Sequence, residues 1–278
     1  MGFMKSISFY KMSGSGNDFI IIDNRSRIID DTELPTLIRH ACRRKMSVGA
    51  DGLILIEPSD TADFRWRFFN SDGSRAEMCG NGARCAARFA VVNGIAGESL
   101  SFETDVGLVT GQVKGSRVKV KMPDPMDLRL DDSINLANGP LTVSSINTGV
   151  PHAVIMADAI ADIDVFNVGR EIRNHKAFAP AGTNVNFICR QNQGHLAIRT
   201  YERGVEDETL ACGTGSIASA LIASCKLDWN SPIDLTTRSG ELLRIHFNKD
   251  GNVFNNVYLE GDARIIYTAQ LSDEAWRD

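Results

Sequence analysis

Two cysteines carry the chemistry this sequence can do. Cys79 stands in Met78-Cys79-Gly80-Asn81-Gly82-Ala83-Arg84, and Cys212 in Ala211-Cys212-Gly213-Thr214-Gly215-Ser216-Ile217. Each stretch is Cys-Gly-x-Gly followed by a run of small and apolar residues, and the two recur about half a chain apart in 278 residues. That recurrence predicts two similar halves, each lending one sulfur to something shared. The glycines permit tight backbone geometry. The runs behind them predict helices over 83–92 and 216–226, stopped by Asn93-Gly94 and by Lys226. Small apolar residues all round predict that both helices are buried. Each cysteine is then expected at a buried helix N-terminus, where unpaired N–H groups and the helix dipole favour an anion. A thiol there ionises more readily than a free cysteine, whose pKa is about 8.5. The same N–H groups can hold a carboxylate.

A thiolate facing one side of a carbon and a thiol facing the other can invert it. The thiolate removes the proton, and the thiol delivers another to the opposite face. This is two-base racemisation or epimerisation, a form of general acid–base catalysis. Repulsion disfavours two thiolates side by side, so one thiol and one thiolate is the expected working state. The carbanion needs N–H donors from the helix ends and a dry cleft. Cys42, Cys85, Cys189 and Cys225 lack the duplicated setting and read as small buried hydrophobes.

The elements that must position these groups follow from the rest of the chain. Strands are expected over 6–12 and 19–23 around the loop 13–18, then a helix over 33–43 capped by Asp31 or Thr32. Strands follow over 53–56, 64–70, 101–103, 106–113 and 117–122. Pro123-Asp124-Pro125 reads as the linker. The second half repeats the order, with strands over 142–147, 185–189, 195–202, 234–237, 242–247 and 253–260. It adds a turn over 148–152 and a helix over 168–175. The expected fold is α+β: two similar domains, each a curved, mostly antiparallel sheet around a central helix, with the active site in the cleft between them. The boundaries are 1–124, completed by the tail 266–278, and 125–265.

Hydrophobic content of 43% and a net charge of −5 describe an ordinary globular chain with no electrostatic reason to bind nucleic acid. No apolar run reaches the roughly 20 residues of a membrane span. The N-terminal stretch lacks a signal-peptide core, and its loose match to a myristoylation pattern is set down to chance. Six cysteines without a Cys-x-x-Cys pair, and five histidines without ligand spacing, point to neither a disulfide scaffold nor a metal site. The cytoplasm, which keeps thiols reduced, is the expected compartment.

Several segments together resemble the diaminopimelate epimerase family. They are Ser13-Gly14-Ser15-Gly16-Asn17-Asp18-Phe19, Phe69-Asn70-Ser71-Asp72-Gly73-Ser74 and the Cys79 loop, then Gly182-Thr183-Asn184-Val185-Asn186-Phe187, Tyr201-Glu202-Arg203-Gly204 and the Cys212 loop. The resemblance implies interconversion of LL- and meso-diaminopimelate on the bacterial route to lysine and peptidoglycan, without pyridoxal phosphate, metal or other cofactor. It implies Cys79 and Cys212 as the acid/base pair, with His152 and Glu202 tuning them. It places substrate contacts on Asn17, Asn70, Gly80, Asn81, Asn184, Glu202, Arg203, Gly213 and Thr214, and it implies a homodimer. Val150 departs from the asparagine many members carry and Gly52 from the glutamine some carry, leaving the distal end of the substrate to other groups or water.

Four other readings stay open on the residues, one of them a non-catalytic amino-acid-binding protein, which would incorporate no solvent deuterium at the α-carbon. Gly213-Thr214-Gly215-Ser216-Ile217-Ala218 fits the dinucleotide pattern of an NAD-dependent oxidoreductase, but the polar Glu206-Asp207-Glu208-Thr209 precedes it where a buried strand is needed. A cysteine hydrolase gives no reason for the second cysteine. A proline racemase-like enzyme shares the architecture, but typically has a histidine where this chain has Asn81.

Overall fold

The computed structural model describes residues 7–76 and 78–276. The stretch 1–6, Glu77 and the last two residues of the expected tail lie outside it. The chain divides into two compact units, Met1–Val120 with Asp262–Asp278, and Lys121–Gly261.

The first unit runs β1 (Ile7–Gly14), β2 (Asn17–Asp23), α1 (Leu34–Ala41), β3 (Gly52–Glu57), β4 (Phe64–Asn70), α2 (Gly80–Val92), β5 (Ser99–Thr104), β6 (Gly107–Lys114) and β7 (Arg117–Lys121). The second runs β8 (Met126–Leu136), β9 (Gly139–Asn147), β10 (Pro151–Met156), α3 (Val165–Arg173), β11 (Asn184–Asn192), β12 (His195–Glu202), β13 (Asp207–Thr209), α4 (Gly213–Leu227), β14 (Ile233–Thr236), β15 (Leu242–Asp250) and β16 (Val253–Asp262). The chain then returns to the first unit as β17 (Arg264–Leu271).

The two ladders have the same plan. In the first unit the order is β17-β1-β2-β3-β4-β5-β6-β7, with β2–β3 and β4–β5 parallel and the rest antiparallel. In the second it is β8-β9-β10-β11-β12-β14-β15-β16, with β10–β11 and β12–β14 parallel. The parallel pairs fall at the same places, and the sheet is mixed in each. The helix before the second parallel crossover is α2 in one unit and α4 in the other.

These two helices are the cores. α2 touches β1, β2 and β3 and also the distant β6, so the sheet curls around it. α4 likewise touches β9, β10, β11, β12, β14 and β15. Small residues allow this: Ala83, Cys85, Ala86, Ala87 and Ala90 are buried on α2, and Ala218, Ser219, Ala220 and Ala223 on α4. The outer helices are amphipathic. Leu34, Leu37, Ile38 and Ala41 of α1 pack on Ile20, Ile22, Leu53 and Leu55, and Val165 and Ile172 of α3 cover Ala153, Ile155, Val185 and Phe187. Among the described residues no helix is long and apolar enough to cross a membrane.

Some expectations are corrected. α1 takes Glu33 as N-cap, without a side-chain bond. Asp30, not Asp31 or Thr32, organises that turn by accepting from the Thr32 N–H and hydroxyl at 2.8 and 2.6 Å. The segment 148–152 is not wholly a turn: Pro151 and His152 open β10, a buried strand antiparallel to β9 and parallel to β11. A proline at the first strand position needs no N–H there, so its turn signal misleads. α3 starts and ends earlier than expected, because Asp164 caps it through the Asn167 N–H.

Candidate active site

The geometry starts with two helix caps. Cys79 is extended (φ −147°, ψ 115°), and its sulfur accepts from the Gly82 N–H at 3.4 Å. Cys212 is extended too (φ −122°, ψ 115°), and its sulfur accepts from the Gly215 N–H at 3.4 Å. The sulfur is thus the capping atom in both units, where side-chain oxygens usually serve. The helices begin at Gly80 and Gly213, so the glycines expected to form a turn are the first helical turn. At Gly215 nothing larger fits, because a Cβ would run into the Asn186 amide oxygen.

A β-hairpin delivers Asn17 to the first cap. Ser15 and Gly16 both have positive φ (57° and 89°), as a two-residue turn between β1 and β2 requires. The turn sets Asn17 so that its Oδ1 lies 3.5 Å from the Cys79 sulfur, which donates to it. The Asn17 amide NH₂ donates to Asp51 at 2.6 Å, which fixes which end of the amide faces the thiol. Asp51 is itself held by Arg44 at 2.8 Å, and Arg44 and Lys11 pair with Asp18 at 2.6 and 2.7 Å. Burial would raise the Asp18 pKa, but the hydrogen bonds from Arg44 and Lys11 prevail and hold it at about 2. Asn70, at the end of β4, donates to the Ser74 hydroxyl at 3.0 Å. Asn81 is 5% exposed in the first turn of α2, and its Oδ1 has no hydrogen-bond partner among the described residues.

The second unit brings together the other sequence candidates. Thr214 Oγ1 lies 3.5 Å from the Cys212 sulfur, and its carbonyl accepts from Thr148 at 3.0 Å. The Asn184 amide donates to the Pro151 carbonyl at 3.1 Å and accepts from the Arg203 N–H at 2.9 Å. That ties the start of β11 to the Glu202-Arg203 end of β12. His152 is fully buried. Its Nδ1 lies 3.0 Å from the Asn186 Nδ2, while the Asn186 Oδ1 accepts from the Thr200 hydroxyl at 3.0 Å. With the amide so oriented, Nδ1 is the acceptor and the proton sits on Nε2. Nε2 has no partner among the described residues.

Burial, and next the Arg203 charge, push the His152 pKa down from 6.5 to about 3. His152 is therefore neutral at pH 7, and its help to a thiol is one N–H rather than a charge. The sign of the stability effect follows. The unfolded chain takes up a proton at His152 below about pH 6.5, whereas the folded chain does so only near pH 3. Stability is full above pH 6.5 and is lost as pH falls toward 3, at up to about 1.4 kcal/mol per pH unit. Urea unfolding at pH 7, 6 and 5 is expected to show this slope and His152→Gln to flatten it; an equal slope in the variant contradicts the burial argument.

The sequence reading missed Asp51, Asn186, Thr200 and Arg84. Asn186 was signalled: Asn184 and Asn186 alternate on one strand and share a face. Among the described residues no group of three or more His, Cys, Asp or Glu could hold a metal ion. The glycine pattern at 213–218 follows β13, three residues paired on the edge of β12, so the buried strand of a dinucleotide fold is missing. A cavity of about 560 Å³ in the second unit is lined by Asn147, Pro151, His152 and Thr183 among others, but not by Cys212, Glu202 or Arg203. Neither Cys79 nor Cys212 lines this cavity, so both thiol caps lie outside it.

The pattern of the diaminopimelate epimerase family matches residues 9–126 and 144–266. The chain belongs to this family. It is 42% identical to the diaminopimelate epimerase of Aquifex aeolicus over 96% of this chain and 99% of that one. It is 45% identical to that of a Hydrogenobaculum strain, over 95% and 98%. The fold is shared more widely. A PhzF-family phenazine biosynthesis protein of Bacillus anthracis superposes with TM-score 0.72 at 15% identity, covering 96% of this chain and 99% of that one. A hydroxyproline epimerase of Agrobacterium vitis gives 0.70 at 13%, covering 98% and 94%. The two-unit plan thus outlasts sequence similarity, while the epimerase relatives retain nearly the whole length.

Proposed function

We propose that this chain is an isomerase that interconverts LL- and meso-diaminopimelate by a two-base thiol/thiolate mechanism. The observation that carries the reading is the duplicated cap: one sulfur per unit, each seated on the first N–H groups of a buried helix. One cysteine acts as thiolate and takes the α-proton; the other, as thiol, returns a proton to the opposite face. The first-turn N–H groups of α2 and α4 stabilise the charge that develops on the substrate carboxylate. Gly80, Asn81, Gly213 and Thr214 belong to those turns, so the substrate's reacting end is held there. The unpartnered Asn81 Oδ1 is a buried acceptor that suits an ammonium donor. Asn17, Asn70, Asn184, Glu202 and Arg203 complete the recognition of a molecule with two amino-acid ends. His152 supplies its Nε2–H. No cofactor enters the mechanism. A homodimer in the cytoplasm is the expected form, and light scattering of the purified protein measures the former.

Purified protein incubated with LL-diaminopimelate and no added cofactor is expected to yield the meso isomer, and the reverse. Racemisation of proline in place of this reaction would overturn the substrate assignment. Asp51→Ala, which releases the Asn17 amide, is expected to raise KM roughly 3–10-fold, the worth of one hydrogen bond. An unchanged KM and kcat would remove Asn17 from substrate recognition.

A further inference from the structure

One residue of the second unit stands in a backbone conformation that its side chain does not favour. Glu206 has a φ of 59°, in the left-handed region that glycine enters freely and glutamate does not. Such a residue persists where its surroundings fix it, and outliers of this kind cluster at ligand clamps. Glu206 closes the turn that follows β12: its N–H donates to the Glu202 carbonyl at 2.8 Å. Its carboxylate then gathers the neighbouring donors. Oε1 accepts from the Gly204 N–H at 3.0 Å and from Arg173 Nε and Nη2 at 3.2 and 3.0 Å, and Oε2 accepts from the Tyr201 hydroxyl at 3.2 Å. The Gly204 N–H first, with Arg173 behind it, holds the carboxyl below the usual carboxylate range against the opposing effect of burial, so it is charged at neutral pH.

Arg173, the last residue of α3, carries the clamp to a second segment. Its Nη1 donates to the Ala181 carbonyl at 3.2 Å, and its own carbonyl accepts from the Thr183 N–H at 3.4 Å. Gly182 between them has a φ of 70°, and a Cβ there would run into Arg173. The segment so held leads directly into Asn184. Arg203 meets the same Ala181 carbonyl through its Nη1 at 3.4 Å, and its N–H is the one that Asn184 accepts. The segments that carry Asn184 and Glu202-Arg203 are therefore fastened twice, once by the Asn184 amide and once by the Arg173–Glu206 pair. An exposed ion pair contributes little by itself. This one shares its carboxylate with the Gly204 N–H and the Tyr201 hydroxyl, so it fixes the shape of a turn as well as joining two charges.

We propose that Glu206 is a positioning residue for substrate recognition: clamped to Arg173, it holds the Glu202-Arg203 turn in register with Asn184, so that these three candidate contacts keep one geometry. This rests on the assignment of Asn184, Glu202 and Arg203 to the substrate, and it adds what fixes them before the substrate arrives. A left-handed glutamate is the local cost of that order, and preorganised contacts are the return.

Glu206→Gly separates this role from a structural one, because glycine accepts the positive φ while the clamp is lost. Its urea midpoint is expected to stay at or above that of the unaltered protein. Its KM for LL-diaminopimelate is expected to rise roughly 3–10-fold with kcat within about twofold. Glu206→Gln, which keeps an acceptor oxygen for Gly204 and Arg173, is expected to recover most of the KM. An unchanged KM in folded Glu206→Gly overturns the proposal, whatever the midpoint does. Amide hydrogen exchange gives a readout that needs no activity. Exchange at the Arg203 N–H is expected to quicken roughly fivefold or more in Glu206→Gly and in Arg173→Ala alike, while exchange in β15 holds. Unchanged exchange at Arg203 in Arg173→Ala overturns the proposal even if Glu206→Gly fails to fold. Absence of epimerase activity would leave the exchange measurable, so the two readings fail separately.

Discussion

Cys79→Ala is expected to lower the rate of epimerisation by about 10²–10⁴-fold, and Cys212→Ala by a comparable factor, because each removes one positioned acid/base group from the same step. The equality of the two losses is the informative part. An enzyme with a single nucleophile would lose its activity with one cysteine and keep it with the other. In the proposed mechanism each sulfur serves as base in one direction and as acid in the other, so neither direction is expected to survive either loss. The substitutions are mild for the fold: Cys79 is half-buried, and alanine at an N-cap costs about 0.5–2 kcal/mol of helix stability. Unfolding of either variant would show in circular dichroism and is separable from the lost chemistry. Full epimerase activity in either variant, measured by chiral separation of the products, contradicts the two-base assignment.

Asn186→Leu has the largest expected effect on stability, on the order of 3–6 kcal/mol, read as a lowered urea midpoint. The side chain is fully buried and meets three partners: the Thr200 hydroxyl at 3.0 Å, the His152 Nδ1 at 3.0 Å and the Ala153 carbonyl at 3.2 Å. Leucine fills a similar volume but leaves all three without this bond, and a stranded buried polar group costs about 1–3 kcal/mol. The loss is a large share of the 5–15 kcal/mol that holds a typical domain together. Exposed Asn192 lies on the same strand, and Asn192→Leu is expected to stay within about 0.5 kcal/mol. Activity is expected to fall as well, since His152 loses the bond that fixes its tautomer. Equal urea midpoints for the two variants contradict the network.

The duplicated plan was legible because it was written in small residues. Cysteine, glycine and alanine at matched positions announce a buried helix and its cap without any alignment. β12 was expected over 195–202 and spans His195–Glu202, since alternating residues such as Leu196, Ile198 and Thr200 turn one face inward. β8 and β17 left no such trace. Most of their residues are exposed, so no alternation marks them, and β17 pairs with β1 from the far end of the chain. β10 hid for the opposite reason: it is buried on both faces and begins with a proline. The burial of Arg84 was invisible because a lone arginine on a helix reads as a solvated side chain; it shows only in the structure, where the guanidinium donates to Ser15 at the tip of the β1–β2 hairpin. Asp51 was hidden in a glycine turn. Its role arises from register, since β2 and β3 pair in parallel with Phe19 opposite Gly52, which sets Asp51 beside the Asn17-Asp18 turn.

The central claim, that two sulfurs work on one carbon from opposite sides, is tested most directly by the fate of the α-hydrogen. LL-diaminopimelate in deuterated water, sampled at initial rate, is expected to give meso product carrying solvent deuterium at the inverted carbon while the remaining substrate stays almost unlabelled. One acid/base group serving both faces would hand the original hydrogen back, so meso product rich in retained protium would contradict the account.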